Sequence, residues 1–353
     1  MNGKIEETVK AVLNRIVLVL LAFIIGGIVI FFIGENPLNV YYILFKKSFF
    51  TTTGFLNTLH YAGPMILTGL AIAITFKANI YNMGVEGSLL SGGFIAGILG
   101  AQLSCLPSVP LKIICLIAAA LLGMGYAWIA AVLKIKFRAN EMVVTLMLNY
   151  ALAKVLEYLT TSVFRDLNAG YVSTKIVSNQ AVFLRIFGRS RLTVFFFVIL
   201  VILGFFYILM KKSKQGYVIT AMGNNFEFAE ATGMNVGKNI MILMLLSGAL
   251  GGLAGGGWML EDQYRYTLSF SGSPGLGWDG MLIALLGGHD PVGIFIAAVF
   301  YAGLKTGADS INMYTNVPKE IVALIQSMIV LFLAVQFFQK YKIPLFKKRA
   351  KEA

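Results

Sequence analysis

Residues 193–210 of this chain read TVFFFVILVILGFFYILM, a run without a single charged side chain. An α-helix needs about 20 apolar residues to cross the hydrocarbon core of a bilayer, so this run predicts a membrane span. The whole chain has the same character, since 58% of its 353 residues are hydrophobic and 13% are charged. A soluble protein has roughly 25% charged residues. The sequence therefore predicts an all-α fold, a polytopic membrane helix bundle.

Hydropathy divides the chain into about ten spans, which we interpret as a single transmembrane domain covering residues 1–353. The predicted spans are 16–34, 58–76, 83–104, 113–133, 141–163, 193–210, 240–260, 277–288, 291–306 and 320–339. The first follows a charged tail, as a signal peptide would. It is too long for a signal-peptide core and lacks an Ala-x-Ala-like cleavage site, so we expect it to be retained.

An even number of spans places both termini on one side of the membrane. If that side is the cytoplasm, the inside segments carry most of the 29 lysines and arginines, as the positive-inside rule requires. We therefore expect a multi-pass protein of a bacterial plasma membrane with both termini cytoplasmic. The arginine-bearing segment 164–192 fits this scheme least well. Its side is left open, and its interspersed apolar residues are compatible with an interfacial helix.

The net charge of +13 has an ordinary source in the inside segments and the basic C-terminal tail, so nucleic acid is not an expected partner. Cys105 and Cys115 are interpreted as small apolar residues with no disulfide implied. His60 and His289 are far apart in sequence and lack partners at ligand spacing, so no metal site is predicted.

Two apparent nucleotide motifs are rejected. The Gly-x-Gly-x-x-Gly pattern at 275–280 follows Ser-Gly-Ser-Pro instead of a strand. The pattern at 233–238 has one residue too few for a Walker A loop and has Asn239 where Ser or Thr is required. No Ser/His/Asp or Cys/His set is found either. The sequence therefore predicts neither an enzyme nor a cofactor site, and any ATP hydrolysis is expected in a separate subunit.

Small residues at four-residue spacing predict close helix packing, at Ser247-x3-Gly251-x3-Gly255 and at Gly93-x3-Gly97. Polar groups within apolar runs are stronger functional signals, because burying them in hydrocarbon is costly. The run at 77–87, KANIYNMGVEG, is either a cytoplasmic turn or a helix break at membrane depth that contacts a solute.

Further polar residues lie along the fifth predicted span. Asn149 and Tyr150 in mid-span are candidates for hydrogen bonding a polar solute or a neighbouring helix. Lys154 and Glu157 are expected to pair at i,i+3.

A polar segment at about 211–239 separates two long apolar runs, and its central part, 219–236, reads ITAMGNNFEFAEATGMNV. Good helix formers and a glycine at Gly233 predict one cytoplasmic helix that ends there. Such a helix is either an ordinary loop element or a docking element for a soluble partner. Its side is indicated by four flanking lysines: Lys211, Lys212, Lys214 and Lys238.

Four separated motifs resemble the permease subunits of ATP-binding-cassette (ABC) importers of the branched-chain amino acid, simple-sugar and nucleoside superfamily. The run ending in NMGVEG at 82–87 is similar to FNIGVEGQ, and 139–150 is similar to the nucleoside-type NEVISTIMLNYIA. Residues 219–236 resemble AVGENPEAAEAAGINV, and 277–287 resemble GFDGIAVALLG. The resemblance is collinear from about residue 55 to 340, with departures at Ser88, Trp278 and the Gly288-His289 pair.

The resemblance implies a type II importer permease. Two permeases, the same or different, would form the pathway, two ATPase subunits would drive it, and a substrate-binding lipoprotein would deliver a small solute. Nucleosides are the expected solute, with simple sugars or branched-chain amino acids as the alternative. An ATP-independent carrier or a membrane-embedded enzyme is less favoured.

The resemblance and the polar runs together give two sets of site residues. Expected pathway residues are Asn79, Asn82, Glu86 and Asn149. Expected residues for coupling to the ATPase are Gly223, Asn225, Glu227, Ala229 and Gly233.

Overall fold

The computed structural model describes residues 17, 19–315, 317–318 and 320–328. Most of the predicted span 320–339 and both charged tails lie outside these residues. The helices are α1 (Val19–Phe32), α2 (Pro37–Phe49), α3 (Thr52–Phe76), α4 (Val85–Gln102), α5 (Ser108–Phe137), α6 (Glu141–Tyr158), α7 (Phe195–Lys212), α8 (Lys214–Asn224), α9 (Phe226–Ala231), α10 (Val236–Trp258), α11 (Leu268–Ser271), α12 (Leu276–Leu286) and α13 (Pro291–Tyr314), and residues 320–328 are also helical. Two helices continue into a π-helical turn: α6 through Leu159–Val163 and α10 through Met259–Gln263.

Six of the described helices are long and apolar enough to cross a membrane, or seven if α1 and α2, which meet at 120°, count as one span. The polytopic helical fold is thus present, while the predicted number of about ten is not reached by helices of spanning length. Two of the predicted spans correspond to α4 and to the 11-residue α12.

The proposed interfacial helix within 164–192 is wrong. This segment is irregular and is held by isolated bridges that pair Arg165 with Thr174 and Arg185 with Thr193. Its apolar residues do not form a helical stripe. Phe183, for example, is 8% exposed and packs into the core of the bundle.

The core of residues 51–303 is a close packing of α4, α5 and α10. Glycines allow this contact. A Cβ at Gly255 would overlap the backbone carbonyl of Leu89 in α4, and a Cβ at Gly252 would overlap that of Ala119 in α5. The predicted small-residue motif of α10 is therefore confirmed as a packing surface. Gly93 packs less closely, since a Cβ there would lie 3.0 Å from the Phe270 ring, and Gly97 has only ordinary contacts.

The described parts of residues 1–50 and 304–353 belong to a separate compact unit. Within its described part, the Tyr41 hydroxyl donates a hydrogen bond to the carbonyl of Phe23 at 2.6 Å, which ties α2 to α1. Gly307 leaves room for Leu44 and Ser48 of α2.

Candidate functional site

Residues 77–84, between α3 and α4, are not helical. Asn79 has φ +59°, in the left-handed region that asparagine tolerates better than most residues, and it turns the chain back after α3. Residues 81–84 then run without helical structure into α4.

Side chains of α6 hold this segment in an ascending series of hydrogen bonds. The Tyr81 amide donates to the Glu141 carboxylate at 3.2 Å, and the Met83 amide donates to the Thr145 hydroxyl at 3.1 Å. The Gly87 amide donates to the Asn149 side chain at 3.0 Å. Eight residues separate the first and last of these α6 positions, which is about 12 Å along a helix. This break between α3 and α4 therefore runs alongside the first two turns of α6.

Two of the three predicted pathway asparagines, Asn82 and Asn149, are bonded to the protein itself. The Asn82 side chain donates to Ser247 Oγ of α10 at 2.9 Å and accepts from the Gly84 amide at 2.9 Å. The Asn149 side chain accepts from the Gly87 amide and from the Tyr126 hydroxyl at 2.6 Å. It also donates to the Met83 carbonyl at 2.8 Å.

Glu86 lies in the first turn of α4 and is 2% exposed. Its carboxylate accepts three hydrogen bonds: from the Ser273 hydroxyl at 2.6 Å, the Gly275 amide at 2.9 Å and the Gly277 amide at 2.5 Å. The last two amides lie at the N-terminus of α12, where unpaired N–H groups favour a negative charge. Glu86 therefore binds the start of α12 to the start of α4.

The structure thus brings Asn82, Glu86 and Asn149 together around one break, while Asn79 lies apart on an exposed turn. As placed, the first three hold the break and its neighbours in position. Most of their hydrogen-bond partners are far away in the sequence, so no local pattern reveals these bonds.

The segment 219–236 was predicted to form one helix ending at Gly233, and this is wrong. It is two short helices, α8 and α9, with Asn225 between them in an extended conformation at φ −161°. The Asn225 side chain accepts a hydrogen bond from the Phe228 amide at 3.0 Å, so it caps α9. Asparagine favours N-cap positions over helix interiors, which explains why the helix divides at Asn225.

Within this segment the predicted coupling residues divide between two faces. Gly223 packs on the turn after α3, where a Cβ would overlap the carbonyl of Lys77, and Ala229 is fully buried. Glu227 is exposed. Gly233 has φ +84°, so it ends the segment in the left-handed conformation that favours glycine.

Charged side chains gather beside this contact. Lys211 at the end of α7 forms an ion pair with Asp290, which lies between α12 and α13. Burial lowers the pKa of the Lys77 ammonium, the nearby Lys211 lowers it further, and Asp290 opposes the shift. Burial alone would raise the pKa of Asp290, but the hydrogen bond and charge of Lys211 hold it below its usual value.

A polar cluster that was not predicted from the sequence lies at the opposite end of the bundle. His60 Nε2 is 3.4 Å from Asp262 Oδ1, and His60 Nδ1 is 3.8 Å from Glu261 Oε2. Thr193 donates to the same Glu261 carboxylate at 2.7 Å, and Arg191 Nη1 is 3.7 Å from Asp262 Oδ1. These acids follow a long apolar run and His60 is about 200 residues away. In the sequence, the visible signal of this cluster was the pair of acids, Glu261 and Asp262, at the end of a predicted span.

Residues 54–334 match the family described as the permease component of the branched-chain amino acid transport system. The chain is 31% identical to the guanosine ABC transporter permease protein NupP of Bacillus subtilis, over 95% of this chain and 96% of that protein. It is 28% identical to the nucleoside ABC transporter permease protein NupB of Lactococcus lactis subsp. cremoris, over 98% and 95% of the two chains. It is also 29% identical to the glucose ABC transporter permease protein TsgB13 of Haloferax volcanii, over 95% and 90%.

These likenesses extend over the non-helical segment between α3 and α4, over α8 and α9, and over the bundle between them. The chain belongs to the family of ABC transporter permease components, and it is a non-catalytic membrane subunit.

Proposed function

We propose that this chain forms, together with a second permease, the translocation pathway of a nucleoside importer. Separate ATPase subunits drive it from the cytoplasm and a binding lipoprotein supplies the solute. The observation that carries the proposal is the likeness, over nearly the whole chain, to permeases named for guanosine and for nucleosides.

The contacts of α8 support a coupling role for residues 211–239. Gly223 lies against the turn at Lys77, and that turn leads directly into the segment held by α6. A push on α8 from a docked ATPase therefore reaches the break without passing through a flexible side chain. The outer surface of α8 and α9 offers exposed aromatic side chains for such docking, with Tyr217 66% and Phe228 57% exposed.

The arrangement of the helix ends between residues 57 and 290 supports the alternation of sides that a ten-span scheme with both termini in the cytoplasm requires. Ends predicted to lie inside meet one another, as Lys77, Lys211 and Asp290 do. Ends predicted to lie outside also meet, since the Arg191 amide donates to Asn57 at 2.9 Å. In this scheme α4 and α12, which are not among the six helices of spanning length, also count as spans.

The same scheme accommodates a sugar as the second candidate solute, because a glucose permease has a similar degree of identity. The two differ in what the binding protein delivers. The side chains around the break do not decide between them, because they are bonded to the protein.

The proposal is tested by reconstituting the chain with its second permease, ATPase and binding lipoprotein in proteoliposomes. Uptake of radiolabelled guanosine and adenosine that requires ATP, and that a large excess of glucose leaves unchanged, is the expected result. ATP-dependent uptake of glucose without nucleoside uptake would replace nucleosides by sugars. ATP hydrolysis by the purified chain alone would contradict the assignment of this activity to separate ATPase subunits.

A further inference from the structure

The exposed face of α6 differs from those of the neighbouring spans. On α5 and α7 the large exposed side chains of the middle turns are apolar, as expected where a helix faces lipid; Leu121 and Val201 are examples, at 59% and 73% exposed. On α6 the apolar residues Met147 and Val155 are exposed too, at 70% and 53%, but polar side chains are exposed beside them. Tyr150 is 74% exposed, and the side chains of Lys154 and Glu157 are 80% and 43% exposed.

These three residues, the α6 polar stripe, lie on one face of the helix because they are four and three positions apart. Lys154 Nζ is 2.8 Å from Glu157 Oε2. Counted from Glu141 at the inner end of α6, Tyr150 lies about 14 Å and Lys154 about 20 Å along a helix that spans about 30 Å of hydrocarbon. An ion pair at that depth is costly if it faces lipid.

A second observation at the same depth concerns the backbone beside α6. The Ser271 hydroxyl at the end of α11 donates to the Ala153 carbonyl of α6 at 3.0 Å. Residues 272–275 therefore begin beside the middle of α6. These residues are not helical, and Gly272 and Ser273 are exposed. Ser273 has φ +77°, and its hydroxyl reaches Glu86. Irregular backbone at membrane depth is tolerated only where protein buries it or where it lines a water-filled cavity.

Resting on the proposed role as half of a translocation pathway, we infer that the α6 polar stripe and residues 272–275 line that pathway and meet the solute in water. The stripe offers a phenol, an ammonium and a carboxylate, so it presents both donors and acceptors with no net charge. It suits an uncharged solute rich in hydroxyl and ring-nitrogen groups. Asn82, Glu86 and Asn149 stand behind this surface and hold its backbone.

The test measures water at the stripe. In the complete complex, with Cys105→Ser and Cys115→Ala removing the native thiols, single cysteines replace Tyr150, Lys154 or Glu157. The matched control is Val201→Cys, an exposed mid-helix position on apolar α7. Each is treated with a small, charged methanethiosulfonate reagent. Thiolate is the reactive form and needs water, so the stripe cysteines are expected to react at least about tenfold faster than the control.

The three stripe positions are exposed, so their cysteine variants are expected to fold, which normal abundance of the assembled complex before labelling would verify. Labelling at the stripe should then abolish the uptake that each variant retains. The same treatment should leave uptake by the Val201→Cys complex unchanged. Reaction at the stripe as slow as at the control overturns the inference. If those slow cysteines cross-link to the second permease, the face is a dry subunit contact; if they do not, it faces lipid. Neither result depends on which solute is carried, so a failed uptake of nucleosides remains a separate finding.

Discussion

Replacing Glu86 by glutamine should loosen the start of α12 by a calculable amount. One carboxylate oxygen accepts from Ser273 and Gly275, and the other accepts from Gly277. A glutamine has only one acceptor oxygen, and its NH₂ group must face at least one of the two backbone amides in either orientation. One buried N–H therefore loses its acceptor, which costs about 1–3 kcal/mol.

The measurement is hydrogen exchange of the peptide that contains Gly275 and Gly277. At 1.4 kcal/mol per decade, the expected loss corresponds to exchange faster by about 5- to 150-fold at these amides. The melting temperature of the complex should fall as well. Glu227→Gln is the control, because an exposed acid away from such contacts changes stability by no more than about 0.5 kcal/mol. Unchanged exchange in Glu86→Gln would refute the role of this carboxylate in binding α12.

Three further substitutions separate folding from coupling. Gly255→Leu should sharply reduce the amount of folded permease, since a side chain there meets the backbone of Leu89; membrane abundance measures this, and normal abundance would contradict the packing. Gly223→Trp should also reduce abundance, because Gly223 packs against Lys77 of its own chain; a fully folded but uncoupled variant would place this glycine on the docking surface instead. Phe228→Ala should leave abundance normal and weaken binding of the ATPase about tenfold, the effect of losing an exposed aromatic anchor worth more than 1 kcal/mol, as a pull-down titration would show; unchanged affinity would remove Phe228 from the interface.

The membrane class and the packing motif of α10 were accessible from sequence because they rest on composition and on four-residue spacing. The break at 77–84 was visible as a polar run, but its packing against α6 was not. That packing depends on hydrogen bonds to Glu141, Thr145 and Asn149, about 60 residues away.

Side-chain roles were harder to predict than elements. Glu86 was expected to face a solute, yet its partners lie almost 190 residues further along the chain. Conversely, the pairing of Lys154 with Glu157 was predicted correctly, but the exposure of both side chains on the folded bundle could not be read from spacing. The division of the cytoplasmic helix depended on Asn225, whose capping preference competed with good helix formers on both sides.

The glycine contacts among α4, α5 and α10 have a mechanical consequence. Where side chains separate two helices, the helices can slide as rotamers change. Here the backbone of one helix rests on the backbone of the next at Gly252 and Gly255, and nothing between them can rearrange. These three helices must move as one piece in any transport cycle. The flexing is then confined to joints made of side chains, such as the hydrogen bonds of α6 to the break and of Glu86 to α12.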